Sequence, residues 1–353
     1  MPQLLQAVVE KGASDLHLTA GAAPLLRIDG SVFQLKLLPL KNDEVKQLIY
    51  SILTEDQKIK FEKTSELDFS FGIPGLSRFR GNCFVQRGSI AAVFRRIPHK
   101  VLGFDELGLP PVVQDIARKP RGLVIVTGAT GSGKSTTLAS IIDKINTEQR
   151  VHILTIEDPI EFVHDHKLAI VNQREVGSDT SGFKDALKHA LRQDPDVVLI
   201  GEMRDQETVS AALTIAETGH LVFGTLHTNS AVSSITRIID VFPPHQQQQV
   251  RVQISMGLIA VVSQQLLPRA TGTGRVLAME IMVPNPAIRN LIREDKLHQV
   301  YSQMQVGQAG SGMQTMNQSL ASLVVRQAIT VEEAFLATSD QDELRQILQG
   351  TRR

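Results

Sequence analysis

Cysteine is almost absent from this sequence. The 353 residues contain one cysteine, Cys83. A single thiol excludes a disulfide framework within the chain and a zinc site built from four cysteines. It also fits a reducing compartment, where disulfides rarely persist.

Long hydrophobic runs are missing as well. No apolar stretch approaches the roughly 18 residues of a membrane-spanning helix, and residues 1–10 lack the basic and apolar regions of a signal peptide. The chain has 37 basic and 37 acidic residues, a balance that argues against coating of DNA or of an anionic membrane. Composition therefore predicts a cytoplasmic protein with no direct nucleic-acid partner.

The order of sequence patterns predicts two domains. Residues 1–98 mix short helices with alternating strands, such as Leu67–Phe71 and Ser89–Ile97, and predict a small α+β unit. The stretch from His99 to Pro111 contains two glycines and paired prolines, which are typical of a linker. Residues 112–353 alternate strands with helices, so we expect a doubly wound, mainly parallel sheet, followed by helices over 287–353.

A glycine-rich stretch organises the second domain. It fits G-x-x-x-x-G-K-[ST] and lies between an apolar, β-branched run and a helical pattern, the context that a phosphate-binding loop needs. Glycines let backbone N–H groups approach phosphates, and the helix N-terminus adds partial positive charge. Lys134 would neutralise the β- and γ-phosphates of ATP, and Ser135 would contact Mg²⁺. The predicted nucleotide-binding residues are Gly128, Ala129, Thr130, Gly131, Ser132, Gly133, Lys134, Ser135 and Thr136.

Three carboxylates, Glu157, Asp158 and Glu161, lie at and just beyond a predicted strand end. Hydrolysis needs a base that orients a water molecule against the γ-phosphate, and a carboxylate can serve. Alone, the same residues would also suit a solvated acidic loop. The neighbouring phosphate-binding loop favours the catalytic interpretation.

The apolar run Val197–Ile200 ends in Gly201 and the acidic Glu202, which resembles a Walker B element with Glu in place of Asp. Glu202 could hold Mg²⁺ directly or through a bound water. The structural alternative is that Glu202, with Arg204 and Asp205, caps the next helix.

Two histidines, His220 and His227, bracket the predicted strand Leu221–Leu226. Both could be structural, satisfied by backbone groups. At the carboxyl end of the strand, His227 could instead contact the γ-phosphate, whereas His220 falls at the opposite end.

Arginines crowd the end of the first domain. Most such residues form a solvated face. The alternative is that an always-charged guanidinium reaches across an interface to stabilise phosphate charge, as an arginine finger does. The five residues are Arg78, Arg80, Arg87, Arg95 and Arg96.

Together these elements resemble the secretion-ATPase superfamily and, within it, the PilT family of type IV pilus retraction ATPases. The resemblance covers essentially the whole chain. Near its end, Asp295 occupies a position where that family commonly has Gly. The matching motifs are 13–18, 78–80, 93–98, 128–135, 155–161 (the Asp box), 201–205, 218–228 (the His box) and 287–294.

This resemblance implies a PAS-like first domain, a RecA-like second domain and a homohexameric ring. It implies that Glu161 is the catalytic base, that Glu202 is the Walker B acid and that His227 contacts the γ-phosphate. Arg80 and Arg95 would be supplied in trans by a neighbouring subunit. The absence of a zinc site favours the retraction branch, since assembly and type II secretion ATPases typically carry a four-cysteine element.

The resemblance also implies partners and location. The motor would act on the inner-membrane platform protein of the pilus, peripherally at the inner membrane, with an accessory retraction ATPase as a further partner. Three alternatives remain: a ring ATPase for export or DNA transfer, a nucleotide-gated adaptor that barely hydrolyses ATP, and a passive scaffold. The intact Lys134, Glu161 and Glu202 argue against the last two.

Overall fold

The computed structural model describes residues 1–28, 30–98, 100–306 and 308–350, with the side chains of 308 and 309 left aside. The chain divides into two compact units. The first comprises 1–100 together with 161–163, and the second comprises 101–160 and 164–353.

Within its described residues, the first unit contains three helices and six strands. In chain order they are α1 (Pro2–Glu10), β1 (Asp15–Leu18), β2 (Leu25–Ile28), β3 (Ser31–Gln34), α2 (Asn42–Tyr50), α3 (Glu55–Thr64), β4 (Glu66–Ile73), β5 (Ser77–Gln86) and β6 (Ser89–Ile97).

The six strands form one sheet in the order β3-β2-β1-β6-β5-β4, and all of its pairings are antiparallel. One face is apolar: Leu16, Phe79 and Phe94 pack with Leu5 of α1 and Val45 of α2. Alternation along each strand sends the intervening residues to the opposite face. That opposite face carries Asp15 of β1, Arg80 of β5 and Arg95 of β6.

The second unit begins with α4 (Phe104–Leu107), α5 (Pro111–Ala117), β7 (Gly122–Thr127), α6 (Lys134–Glu148), β8 (His152–Glu157), β9 (Ile170–Glu175), α7 (Phe183–Ala190), β10 (Val197–Ile200), α8 (Gln206–Glu217), β11 (Leu221–Thr225) and α9 (Ala231–Asp240). It continues with α10 (Pro244–Gly257), β12 (Leu258–Pro268), β13 (Arg275–Met282), α11 (Pro286–Arg293), α12 (Val300–Val306), α13 (Gln308–Ser311), α14 (Met316–Val325), α15 (Val331–Ala337) and α16 (Gln341–Gly350).

The seven strands of this unit form a mixed sheet in the order β13-β12-β7-β11-β10-β8-β9. Every pairing is parallel except that of β12 with β13. β7, β10 and β11 are buried at every residue, as expected for parallel strands covered on both faces. The carboxyl ends of β7, β11, β10 and β8 therefore meet along one edge of the sheet, where ligands of open α/β sheets bind.

Sequence patterns located the parallel strands well. Three strands predicted from the sequence coincide with observed ones: the strand that ends near Glu157 with β8, Val197–Ile200 with β10, and the strand between His220 and His227 with β11. The elements between residues 244 and 282, namely α10, β12 and β13, were not predicted.

The segment predicted as a linker is partly structured. Residue 99, its first residue, lies outside the described residues. Over the remainder, α4 forms, and Phe104 and Leu109 are buried in the core of the second unit. The domain boundaries read from the sequence stay a prediction.

Candidate nucleotide and hydrolysis site

The phosphate-binding loop joins β7 to α6, as the sequence predicts. Gly128 has φ 142° and Gly133 has φ 89°, backbone conformations that L side chains rarely adopt. Space is equally restrictive at Gly128, where a Cβ would collide with the carbonyl oxygen of Gln264. The loop therefore needs glycine there for both backbone angle and close packing.

Lys134 opens α6 and folds back over the loop. Its side chain is buried, and Nζ donates hydrogen bonds to the carbonyl oxygens of Gly128 at 2.8 Å and Ala129 at 3.2 Å. The ammonium group is thus held at the centre of the loop. Ser135 and Thr136 follow in the first turn of α6, where backbone N–H groups have no partner within the helix.

Gln264 on β12 supports the loop from behind, a role that sequence reasoning missed. Its side chain is fully buried, and Nε2 donates a 2.8 Å hydrogen bond to the carbonyl oxygen of Ser132. The apolar, β-branched run of β12 could have indicated a buried strand. It gives no indication that this strand lies beside β7.

Glu202 and His227 meet at the carboxyl ends of β10 and β11. Oε1 of Glu202 lies 3.3 Å from Nε2 of His227 and 2.6 Å from Nε of Arg204. The hydroxyl of Thr225 donates a hydrogen bond to the carbonyl oxygen of Gly201, which ties the two strand ends together. The predicted helix-capping role falls instead to Asp205, whose carboxylate accepts from the N–H of Thr208 at 2.8 Å.

The surroundings of Glu202 keep it ionised. Burial opposes the charge, but the hydrogen bond and charge of Arg204, with a smaller contribution from His227, hold the pKa of Glu202 below its ordinary value. An anionic carboxylate at this position suits a metal ion or a metal-bound water.

The loop that carries His227 is fixed at both ends. Oγ1 of Thr127, at the end of β7, donates to the carbonyl oxygen of Thr228 at 2.7 Å and accepts from its N–H at 2.9 Å. At the other end, buried Glu280 on β13 accepts a 2.6 Å hydrogen bond from the N–H of Ala231, the first residue of α9. Burial raises the pKa of Glu280. These bonds fix the backbone that follows His227 to the end of β7, the strand that precedes the phosphate-binding loop.

His220 has structural partners. Its Nδ1 lies 3.0 Å from the carbonyl oxygen of Ile215 and 3.1 Å from the hydroxyl of Thr218. These contacts join the start of β11 to the end of α8, at the opposite end of the strand from His227.

The three carboxylates after β8 have different surroundings. Glu157 accepts hydrogen bonds from the hydroxyl of Thr155 at 2.6 Å and from Nε2 of Gln173 at 3.2 Å. Asp158 and Glu161 are exposed. Just before Glu161, the N–H of Ile160 donates to the buried Glu175 at 3.0 Å, so the backbone of this loop is anchored.

Arg80 and Arg95 belong to the first unit, where they face each other across β5 and β6. Arg80 is exposed, whereas Arg95 donates from Nε to the carboxylate of Asp15 at 2.8 Å.

A cavity of about 770 Å³ opens beside the loop in the second unit. Its lining includes Ala129–Ser132, Gln264, Glu280, Tyr301 and Asn317. This volume is in the range of small-molecule sites, and the lining combines apolar walls with a few polar groups.

The metal-binding capacity of the site is modest. Within the part of the chain that the structure describes, no group of three or more His, Cys, Asp or Glu residues could hold a metal ion. Mg²⁺ at phosphates needs only one or two protein oxygens, since the phosphates and waters complete its shell. The Ser135 hydroxyl and the ionised Glu202 therefore fit Mg²⁺ bound together with a nucleotide.

Among the described residues, none of the helices has the length and apolar character required to cross a membrane.

Comparison with known proteins decides the family. A model for "Type II/IV secretion system protein" matches residues 1–336. The chain is 54% identical to the type IV pilus retractation ATPase PilT of Pseudomonas aeruginosa, over 94% of this chain and 96% of that protein. This chain belongs to the type II/IV secretion system protein family, in its PilT branch.

Further relatives agree. The chain is 52% identical to a twitching motility protein of Neisseria gonorrhoeae, covering 89% of this chain and 84% of that protein. A crystal structure of the pilus retraction motor PilT with bound ADP matches with a TM-score of 0.91 at 54% identity, over 98% of each chain. The Legionella pneumophila ATPase DotB matches with a TM-score of 0.77 at 28% identity, over 95% of this chain and 94% of DotB.

These findings confirm the predicted resemblance to the PilT family and the predicted α/β, two-domain secretion-ATPase fold. They also confirm that the chain is an ATPase and binds nucleotide. The roles of individual site residues stay predictions.

Proposed function

We propose that this chain is a motor ATPase that couples ATP hydrolysis to retraction of a type IV pilus and so supports twitching motility. The observation that carries the proposal is the 54% identity to a pilus retraction ATPase over nearly the full length of both chains. The residues that hydrolysis requires, Lys134, Glu161 and Glu202, are all present.

Each predicted site residue has a chemical task in this proposal. Lys134 leaves the loop carbonyls that it now contacts and neutralises the β- and γ-phosphates. Glu161 orients the attacking water and takes its proton, while His227 contacts the γ-phosphate. The contact of His227 with Glu202 supports this role, because it links the proposed γ-phosphate contact to the residue proposed to hold Mg²⁺.

Mg²⁺ belongs to the proposal as the partner of ATP. When bound, it withdraws charge from the phosphate oxygens. Ser135 and Glu202 would hold it, the latter directly or through water.

We further propose that the motor is a homohexamer whose subunits complete one another's sites. Arg80 and Arg95 would reach the phosphates bound by the neighbouring subunit, and ATP turnover would change the angle between the domains through residues 99–111. The partner that receives this motion is the inner-membrane platform protein of the pilus. An accessory retraction ATPase is a second partner, and the motor lies in the cytoplasm, peripherally at the inner membrane.

Deletion of the gene in its host, followed by complementation, tests the function. We expect deletion cells to be hyperpiliated and unable to twitch, and we expect the wild-type chain, but not Lys134→Ala, to restore twitching. Lys144→Ala is the matched control, because Lys144 is a lysine of the same helix, α6, that pairs with Glu148 and not with the loop. Lost secretion with normal twitching would instead indicate an export ATPase. ATP binding with negligible turnover would indicate an adaptor.

A further inference from the structure

A row of charged residues crosses the first unit's sheet. The strand registers place Arg27 of β2 opposite Asp15 of β1, Asp15 opposite Arg95 of β6, and Arg95 opposite Arg80 of β5. Residues directly opposite one another in a sheet project from the same face. The row therefore contains three guanidinium groups and a single carboxylate.

Asp15 is the centre of this row. It is only 2% exposed, and its two carboxylate oxygens are used differently. Oδ1 accepts from Nε of Arg95 at 2.8 Å, whereas Oδ2 accepts from the hydroxyl of Ser14 at 2.7 Å and lies 3.9 Å from Nε of Arg27. A buried carboxylate is costly unless it is paired, so its position is fixed by these partners.

Within the described residues, the Arg95 side chain is held through Nε, the guanidinium nitrogen closest to the backbone. Its side chain is 68% exposed, and its only ion pair within the described part of the chain is the one through Nε. Because the guanidinium is planar, a bond at Nε fixes both its plane and the direction of the two terminal nitrogens. The terminal nitrogens are the ones that bind phosphate as a fork.

Arg80 adds a second positive charge beside that fork. It is exposed, and no described carboxylate lies within ion-pair distance of it. Like charges directly opposite in a sheet repel one another. Of these two exposed arginines only Arg95 is paired with a carboxylate, so the pair keeps a net positive charge that suits a polyanion such as a phosphate chain.

We propose that Asp15 is a positioning residue that orients the Arg95 guanidinium towards the phosphates bound by a neighbouring copy of this chain. The inference rests on the proposed in-trans role of Arg95. Asp15 itself touches no phosphate and acts only through Arg95. This role gives a reason for the buried Asp15 carboxylate next to an exposed arginine in the first unit.

The first test is steady-state ATP hydrolysis by the assembled protein. Asp15→Asn keeps the size of the side chain and loses its charge, so we expect kcat to fall about tenfold with KM for ATP nearly unchanged, since misplacement of a catalytic group acts on the chemical step. Asp68→Asn is the matched control, because Asp68 is an exposed carboxylate of the same sheet that contacts Asn82. That variant should retain the parental kcat.

A double-mutant cycle distinguishes positioning from general loss of structure. Arg95→Gln retains most of the side-chain length and a hydrogen-bond donor for Asp15. If Asp15 acts only through Arg95, the Asp15→Asn, Arg95→Gln double variant should turn over ATP as slowly as Arg95→Gln alone. A further drop in the double variant would mean that Asp15 acts through the fold, and it would overturn the inference.

The same variants also distinguish failure of the positioning role of Asp15 from failure of the in-trans role of Arg95. If Arg95→Gln retains the parental kcat, the in-trans role of Arg95 is lost and the positioning role with it. If Arg95→Gln is slow while Asp15→Asn is normal, Arg95 keeps its role and only the inference about Asp15 fails. Mixing of subunits gives a third readout. When Asp15→Asn subunits are combined with Lys134→Ala subunits, the ATPase activity of the mixture should exceed the sum of the activities of the two separate preparations.

Discussion

Oε1 of Glu202 lies 3.3 Å from Nε2 of His227, although the two residues follow different strands of the sheet. Arg204 contacts the same oxygen at 2.6 Å. Glu202 is therefore shared between His227, the proposed γ-phosphate contact, and the exposed Arg204. A metal ion bound with a nucleotide would compete with Arg204 for this carboxylate.

This contact predicts how stability depends on pH. The pKa of Glu202 is lower in the folded chain than its ordinary value of 4.5. A lowered pKa stabilises the fold above the ordinary value, and the stabilisation is lost as pH falls through the folded value. Urea unfolding should therefore show a larger difference between the parent and Glu202→Gln at pH 7 than at about pH 3.5. A difference that is equal at the two pH values would contradict the pairing.

Glu161 is predicted to be the base of hydrolysis. Glu161→Gln should bind ATP normally and lower kcat by about a hundredfold or more, the usual effect of removing a general base. Asp158→Asn is the informative comparison, because Asp158 is exposed in the same loop. Binding of a fluorescent ATP analogue and phosphate release measure the two properties. Near-normal turnover in Glu161→Gln, with loss in Asp158→Asn, would transfer the assignment to Asp158.

Gln264 is predicted to stabilise the phosphate-binding loop. Gln264→Leu removes the donor to Ser132 and should lower the free energy of unfolding by about 1 kcal/mol. It should also raise KM for ATP, because the loop loses its support. The control is Gln253→Leu, since Gln253 is a half-buried glutamine of α10 whose Nε2 donates to Glu217 and not to the loop. An unchanged KM in Gln264→Leu would show that the loop holds its shape without this bond.

Asp295 stands at a position where the PilT family commonly has Gly. It has φ 61°, a conformation that favours glycine, and its carboxylate pairs with Nη2 of Arg251 at 2.8 Å. Asp295→Gly removes backbone strain of about 1 kcal/mol and an exposed ion pair worth up to about 1 kcal/mol, so the melting temperature should scarcely change. Asp295→Ala keeps the strain and loses the ion pair, so it should melt at a lower temperature. Equal melting temperatures for the two variants would show that backbone strain at this position has no effect, because both variants lack the ion pair.

The sequence located the parts of the site that depend on local pattern. The buried strand β7, the glycine loop and Lys134 are contiguous in the chain, and their residue types fix the turn between strand and helix. The strands that carry Glu202 and His227 were also placed correctly, because short apolar runs between turn residues indicate buried strands.

The remaining parts depend on contacts between distant segments. The run from α10 into β12 has no turn residue beyond Gly257, and the polar glutamines of α10 hide its helical period. Sequence patterns therefore missed the strand that brings Gln264 to Ser132. The contact of Asp15 with Arg95 is likewise set by strand pairing, which no local pattern reveals.

The most direct test of the proposed composite site is ATP hydrolysis measured over a dilution series, with the mass of the particles determined at each concentration. We expect turnover per chain to appear with the hexamer and to fade as the hexamer dissociates, because in the proposed site Arg80 and Arg95 would act on the phosphates bound by a neighbouring subunit. Turnover per chain that stays constant in the monomer would show that each subunit holds a complete site, and it would contradict the in-trans arginines.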